Sequence, residues 1–284
     1  VCVSFPAMYS AFLGQNILPT AVLILLAWRS LSNSGWLLGA ILLTFAVAMK
    51  FWVLPLAISM LFLRGFRVTL YGVAALTIGL LILPWLVNSQ LLFSYLDIAH
   101  RLSQITVYPY NNVSVRGFLQ RLAAPNWVED AYTWGAVDVF LRIRLMEALF
   151  QVLIGIAVIL AYVKRRPEPT RTFVSLLCLI LLLPGVCWTH YFVLAIPLAV
   201  FLWLRAPGYH AIIGLIALLI MAVPWHSYSR GIVSPLPLKQ LIIDHSIAAE
   251  LLLALPPAMV LTLVYAALFA NFVIPDQHSV ASTP

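Results

Sequence analysis

The stretch FVSLLCLILLLPGVCWTHYFVLAIPLAVFLWL, Phe173 to Leu204, runs for 32 residues without an acid, a Lys or an Arg, and is flanked by Arg171 and Arg205. As one straight helix it would be about 48 Å long, against a hydrocarbon thickness of roughly 30 Å. A single span is therefore a poor fit. Pro184-Gly185 breaks the run near its middle, and Trp188-Thr189-His190-Tyr191 follows with two interfacial aromatics and a titratable ring. Two short spans joined by a polar tip are expected. Basic flanks at both ends place those ends in the cytoplasm by the positive-inside tendency, and the Trp188 to Tyr191 tip on the opposite face.

The rest of the chain agrees with a membrane setting. Hydrophobic residues make up 63% and charged residues 9% of the 284, and the mean hydropathy is +1.03, whereas soluble domains carry about 25% charged residues. An all-α, polytopic, multi-pass transmembrane bundle is expected. The net charge of +7 comes from 16 cations scattered between apolar runs, with no stripe or patch of the kind that holds nucleic acid. No nucleic-acid partner is expected; membrane lipids are. Cys178 and Cys187 lie nine residues apart on one predicted helix, about 13 Å at helical rise and beyond disulfide reach. With Cys2 they read as three inert thiols. The opening Val1-Cys2-Val3 carries no initiator Met and no signal-peptide n-region, so the chain is expected to begin partway through a longer protein.

Nine apolar runs alternate sides when threaded from the central hairpin. After a short first stretch ending at Pro6, they begin with the run to Trp28, which follows Gly14-Gln15-Asn16 and stops at Arg29. Trp36 to Met49 ends at Lys50, and Phe51 to Leu63 ends at Arg64 and Arg67. These two are short, which suggests a bent pair or a re-entrant element. Val68 to Val87 leads into the one long polar segment, Asn88 to about Arg144, read as an external loop. Leu145 to Val163 precedes the cytoplasmic loop of about 164–171. Beyond the hairpin come Ile212 to Trp225, a polar connection to about Glu250, a last span from Leu251 to Val273, and a tail at 276–284. The transmembrane domain is thus one unit over 1–275. The inner turns hold eight cations against two acids and the outer segments eight against seven; the bias sits in the short inner loops, the ones that count for orientation.

On this topology the polar groups converge on the outer face. Lys50 stands between two apolar runs, where a cation is costly unless it reaches water or an anion. It reads either as a snorkelling helix end or as a partner for a lipid phosphate. His190 reads either as a hydrogen-bonded structural residue or as a proton carrier. It has no second His or Cys at ligand spacing, so neither a metal nor a cofactor is expected. Within the long loop, Val115, Phe118, Leu119 and Leu122 follow the i, i+3, i+4, i+7 pattern of a one-faced helix, with Ser114 or Asn112 as its cap. Asp97, Glu129, Asp130, Asp138 and Asp244 are outer carboxylates able to act as a base, each also readable as a solvated loop charge.

Taken in order, Gly14-Gln15-Asn16 before a span, Gly35 through Gly39 to Lys50 and Pro55, Asn112-x-Ser114-x-x-Gly117-x-x-x-Arg121, and Pro184 through Trp188-Thr189-His190 resemble the membrane glycosyltransferases of family 87. That family includes polyprenyl-phosphate-mannose-dependent mannosyltransferases and related arabinofuranosyltransferases of the bacterial envelope. The resemblance runs from about residue 5 to 200. It implies a GT-C-type helical fold and an active site at the outer membrane surface. There a hexose, notably mannose, or a pentose passes with inversion from a polyprenyl-phosphate donor to a lipid or glycan acceptor. On that resemblance His190 is the expected catalytic residue of this chain, assisting proton transfer or contacting phosphate. Gln15, Asn16, Lys50, Asn112, Ser114, Arg116, Arg121 and Trp188 are expected to bind substrate, with Lys50 and Arg116 or Arg121 opposite the phosphate. The family's principal catalytic acid lies on a first external loop near the amino terminus, which this chain is expected to lack. A transporter or flippase of lipid-linked sugars, or an inactive truncated homologue, is the rival reading; the absence of a fixed-period repeat or inverted duplication in the sequence weighs against transport.

Overall fold

The computed structural model describes residues 16–107, 112, 114–123, 136–138, 140–165, 168–184, 187, 189–222, 228–229, 232–233 and 247–268. Among them are eleven α-helices: α1 (Ile17–Ser32), α2 (Trp36–Met49), α3 (Leu54–Phe62), α4 (Phe66–Thr77), α5 (Leu83–Gln104), α6 (Val115–Ala123), α7 (Leu141–Arg165), α8 (Pro169–Leu179), α9 (Ile196–Arg205), α10 (Tyr209–Ala222) and α11 (Ile247–Leu268). Two short antiparallel ladders accompany them, β1 (Ile105–Val107) with β2 (Ala136–Asp138), and β3 (Tyr228–Ser229) with β4 (Ile232–Val233). The fold is the expected helical bundle, with these ladders as an addition that the sequence did not announce. The opening stretch before residue 16 and the tail at 276–284 lie outside the described residues.

The central hairpin forms as its composition requires. From Arg171 through Leu182 nearly every side chain is buried. The helix tightens into a 3-10 turn at Ile180–Leu182, breaks, resumes as a 3-10 turn at Thr189–Ala195, and continues as α9 behind Pro197. Cys187 lies beyond the break and not on the helix of Cys178. Both are buried free thiols, and burial pushes the Cys187 thiol well above its ordinary pKa.

Outer helices show the opposite pattern. Two continuous helical stretches are long and apolar enough to cross a bilayer, Phe66–Gln90 and Leu141–Lys164. On α7, Leu149, Val152, Leu153, Ile156, Ile159, Leu160 and Val163 are 49% to 64% exposed. Its buried stripe is Ile143, Glu147 and Ala161, with Phe150, Ile154 and Val158 packed against the core, spacings of three and four that put them on one face. An apolar face of this breadth has no place in water and belongs against lipid.

The long segment from Asn88 is not all loop. Its first part continues as helix to Gln104, with a bend at Asn88 where φ is −161° and ψ 99°, and α7 begins at Leu141, before the expected boundary. Polarity alone had made residues 88–104 look like a connection. Their exposed polar face, with Asp97 and Arg101 paired at 2.9 Å, is that of a helix lying outside the core.

The bundle has two chemically distinct ends. At one, Arg64 donates to Ser32 Oγ and lies 4.5 Å over the Trp28 ring, Trp28 stacks on Phe173 at 4.4 Å, and Arg171 donates to the carbonyl of Ala267. At the other, Asn16 opens α1 and Lys50 closes α2. The 16 residues of α1 separate these ends by about 24 Å, the order of a membrane's apolar thickness. Close approach of helices is secured by small residues: a Cβ on Gly214 would stand 2.5 Å from the backbone oxygen of Ala199. Gly214→Val is therefore expected to force α9 and α10 apart and to destabilise the protein by about 1–3 kcal/mol, seen as a lowered thermal midpoint of the detergent-solubilised protein.

Candidate functional site

The interruption of the hairpin leaves buried backbone groups without helical partners, and side chains from elsewhere meet them. Gln151 on α7 donates from Nε2 to the carbonyl of Leu183 at 3.1 Å. Asn112, fully buried, accepts at Oδ1 from the backbone N–H of Cys187 at 3.0 Å and from that of Ser114 at 3.3 Å. Unmade, these bonds would leave buried donors and acceptors at a cost of about 1–3 kcal/mol each.

Asn112 also sets the start of α6. Ser114 is the N-cap: its Oγ accepts from the N–H of Gly117 at 2.9 Å, three residues on, the bond that a capping serine makes. Gly117 has no side chain because none fits; a Cβ there would lie 2.9 Å from Asn112 Nδ2 and 3.1 Å from its carbonyl oxygen. The spacing Asn112-x-Ser114-x-x-Gly117 is thus a bridge, a cap and a gap, in that order.

Lys50 meets the same hairpin segment at Tyr191. The chain turns from helical to extended there, with φ −146° and ψ 93°, so the ammonium leaves α2 at its tip. Nζ donates to Tyr191 Oη at 3.1 Å and sits 4.9 Å from the centre of the Tyr191 ring, and Trp52 packs on that ring at 5.5 Å. Among the described residues Lys50 forms no ion pair. Partial burial holds its pKa below the ordinary lysine value. Asn16 joins the group by donating from Nδ2 to the carbonyl of Met49 at 3.2 Å.

Of the residues expected from the sequence, Asn16, Lys50, Asn112 and Ser114 are therefore brought to one end of the bundle, Asn112 bonded to Cys187 and Lys50 to Tyr191. His190 lies in the 3-10 turn Thr189–Ala195, next in sequence to Tyr191. Arg116 and Arg121 are both on α6; the Arg121 and His190 side chains, and Gln15 and Trp188 altogether, lie outside the described residues. Among the outer carboxylates, Asp97 is exposed and paired with Arg101, Asp138 is in β2 opposite Ile105, and Glu129, Asp130 and Asp244 are outside the described residues.

Two participants escaped the sequence reading. Tyr191 is the direct partner of Lys50, where it had read as an interfacial anchor. Glu147 on α7 is 4% exposed and accepts from Arg116 Nε at 2.7 Å. Its signal was a lone acid inside an apolar run, four residues before a Gln, which in a membrane helix asks for a partner.

An apolar cavity of about 350 Å³ is lined by Val47, Ala48 and Phe51, which flank Lys50 in sequence, and by Leu80, Leu92 and Tyr95 among others; Lys50 itself is not part of the lining. A cation, phenol and amide groups and an apolar recess thus share one end of the molecule, an arrangement suited to an anionic headgroup carrying a hydrocarbon chain. No group of three or more His, Cys, Asp or Glu able to hold a metal occurs among the described residues.

Compared with known proteins, the model for glycosyltransferase family 87 matches residues 1–185, which takes in Asn16, Lys50 and the Asn112 to Arg121 segment and ends just short of His190. No curated protein and no solved structure matches the chain.

Replacing Asn112 tests the bridge. Asn112→Leu removes the acceptor of the Cys187 and Ser114 N–H groups and is expected to cost about 1–3 kcal/mol, whereas Ser114→Ala, which removes the cap, is expected to cost about 1 kcal/mol. Thermal unfolding of the two purified variants compares them; equal and negligible losses would mean that the bridge carries no weight.

Proposed function

Because the chain belongs to glycosyltransferase family 87, a family of membrane glycosyltransferases, we propose that its Lys50 end is the sugar-transfer site and that the donor is a polyprenyl-phosphate sugar. One observation supports this most: Lys50 is a half-buried ammonium answered by a phenol and a ring and by no carboxylate among the described residues. A cation in that position is best satisfied by an anion brought from outside. The apolar cavity lined by Val47, Ala48 and Phe51, its neighbours in sequence, offers the donor's hydrocarbon chain a place toward the same end.

In the proposed reaction the bond between the anomeric carbon and the donor phosphate oxygen breaks as the acceptor hydroxyl oxygen bonds to that carbon from the opposite face. The electron pair leaves with the phosphate, whose added negative charge Lys50 stabilises as it develops. The acceptor proton passes to a base, with His190 assisting that transfer or contacting the phosphate. Asn16, Asn112, Ser114, Arg116, Arg121, Gln15 and Trp188 shape the site. The hexose mannose is the favoured sugar, a pentose the alternative, and the acceptor is an envelope glycolipid or polysaccharide. The positive-inside tendency puts the Arg64 and Arg171 end in the cytoplasm and the Lys50 end on the outer face of the inner membrane.

Transfer of radiolabelled sugar from polyprenyl phosphate into a new glycoside is the test. Wild type is expected to form product, Lys50→Met to lose on the order of a hundredfold or more in rate, comparable to loss of a donor at a developing oxyanion, and His190→Ala to lose a similar factor as an acid–base group. Movement of the lipid-linked sugar across proteoliposomes without a new glycoside would reject the proposal in favour of a flippase. The lowered pKa of Lys50 adds a pH signature. The charged form binds phosphate, so affinity is full at neutral pH and falls as pH rises through that pKa, earlier than an ordinary lysine would allow; Lys50→Arg is expected to abolish the fall.

A further inference from the structure

The seam between α6 and α7 holds polar atoms that the protein does not satisfy. Glu147 is buried, and only one of its oxygens is used: Oε2 accepts from Arg116, while Oε1 is buried with no hydrogen-bond partner. Gln120 is 1% exposed and its Oε1 is likewise buried without a partner. Arg116 and Gln120 are four residues apart on α6 and so share the face that meets α7. On α7, Glu147 and Gln151 are also four apart, and Gln151 is bonded to the break in the hairpin. The two open acceptors therefore belong to a buried seam that adjoins the segment carrying Cys187 and His190.

A protein this apolar gains nothing by burying a half-paired carboxylate and an amide oxygen without donors. Both atoms accept hydrogen bonds and neither supplies one. The complementary ligand is therefore a group rich in hydroxyl donors, and not an anion, which would be repelled by Glu147. Arg116 is neutralised by Glu147, which favours a hydroxyl-bearing group over an anion at these two acceptors.

From this we propose that the α6–α7 seam is a sugar-hydroxyl subsite, in which Glu147 Oε1 and Gln120 Oε1 accept hydrogen bonds from the hydroxyl groups of a glycosyl unit. It deepens the glycosyltransferase reading by assigning the sugar ring to α6 and α7, apart from the phosphate at Lys50. No bond is made or broken there; the two residues orient the ring and select among sugars by hydroxyl position.

The probe is a neutral methyl glycoside of a hexose or a pentose, at concentrations up to tens of millimolar, with binding to the full chain in detergent micelles read by saturation-transfer NMR. Wild type is expected to bind at least one of these glycosides. Glu147→Gln and Gln120→Met are each expected to weaken that binding about tenfold, the loss of one hydrogen bond at a buried site, and Lys50→Met to leave it unchanged. Gln120→Met keeps the Arg116–Glu147 pair, so it remains informative where Glu147→Gln impairs folding. Absence of binding by wild type, or equal binding by wild type and Gln120→Met, overturns the subsite. Glycoside binding that behaves as expected while polyprenyl-phosphate sugar yields no transfer upholds the subsite and overturns the donor chemistry instead.

Discussion

The backbone at the break in the Phe173 to Leu204 hairpin must be hydrogen-bonded inside the protein, because lipid offers nothing to replace a lost helical partner. Two side chains meet that demand, Gln151 at the Leu183 carbonyl and Asn112 at the Cys187 N–H. Each ties a different element to the break. Gln151 fixes the rotation of α7, and since Glu147 lies four residues earlier on the same face, it also fixes where that carboxylate points. Asn112 fixes the entry to α6, and through the Ser114 cap and the Gly117 gap it fixes the path of the helix. The interruption that makes the hairpin fit a bilayer thus also assembles the site beside it.

Charge sorts the two ends of the bundle by different means. At the Arg64 and Arg171 end each cation has local answers: an aromatic face, a hydroxyl, a helix C-terminal carbonyl, the last favoured by the helix dipole. At the other end Arg116 is neutralised by Glu147, while Lys50 is held by Tyr191 alone among the described residues. A phenol and a ring face stabilise an ammonium less than a carboxylate does. The charge at Lys50 is left available where that at Arg116 is not.

Much of this was legible in the residues. The hairpin announced itself because a run too long for the bilayer carries Pro184-Gly185 at its centre and arginines at both flanks, and burial in a sequence without charges has few other solutions. The helix at Val115 was legible from its period, and its cap from Ser114. What periodicity does not show is pairing across distance: Asn112 reads as a cap candidate by local rules, and its bond to Cys187, 75 residues away, has no local trace. Glu147 was lost because one acid does not disturb the hydropathy of a long apolar run. Residues 88–104 read as loop because polar composition was taken for irregular structure, although a helix outside the core needs no apolar face of its own beyond the one it rests on.

The Arg116–Glu147 pair also bears on how the cations of the site divide their work. The family resemblance places Lys50, with Arg116 or Arg121, opposite a phosphate. A buried pair resists disruption, since removing either partner strands the other in a low dielectric, so Arg116 is not free to follow an anion that comes and goes. Lys50 instead sits where helix gives way to extended chain, its ammonium on a flexible four-carbon stem and held by a phenol and no carboxylate among the described residues. Its partner Tyr191 is next in sequence to His190. The paired charge thus lies in the seam between two helices, while the charge without a carboxylate partner among the described residues stands at a helix end.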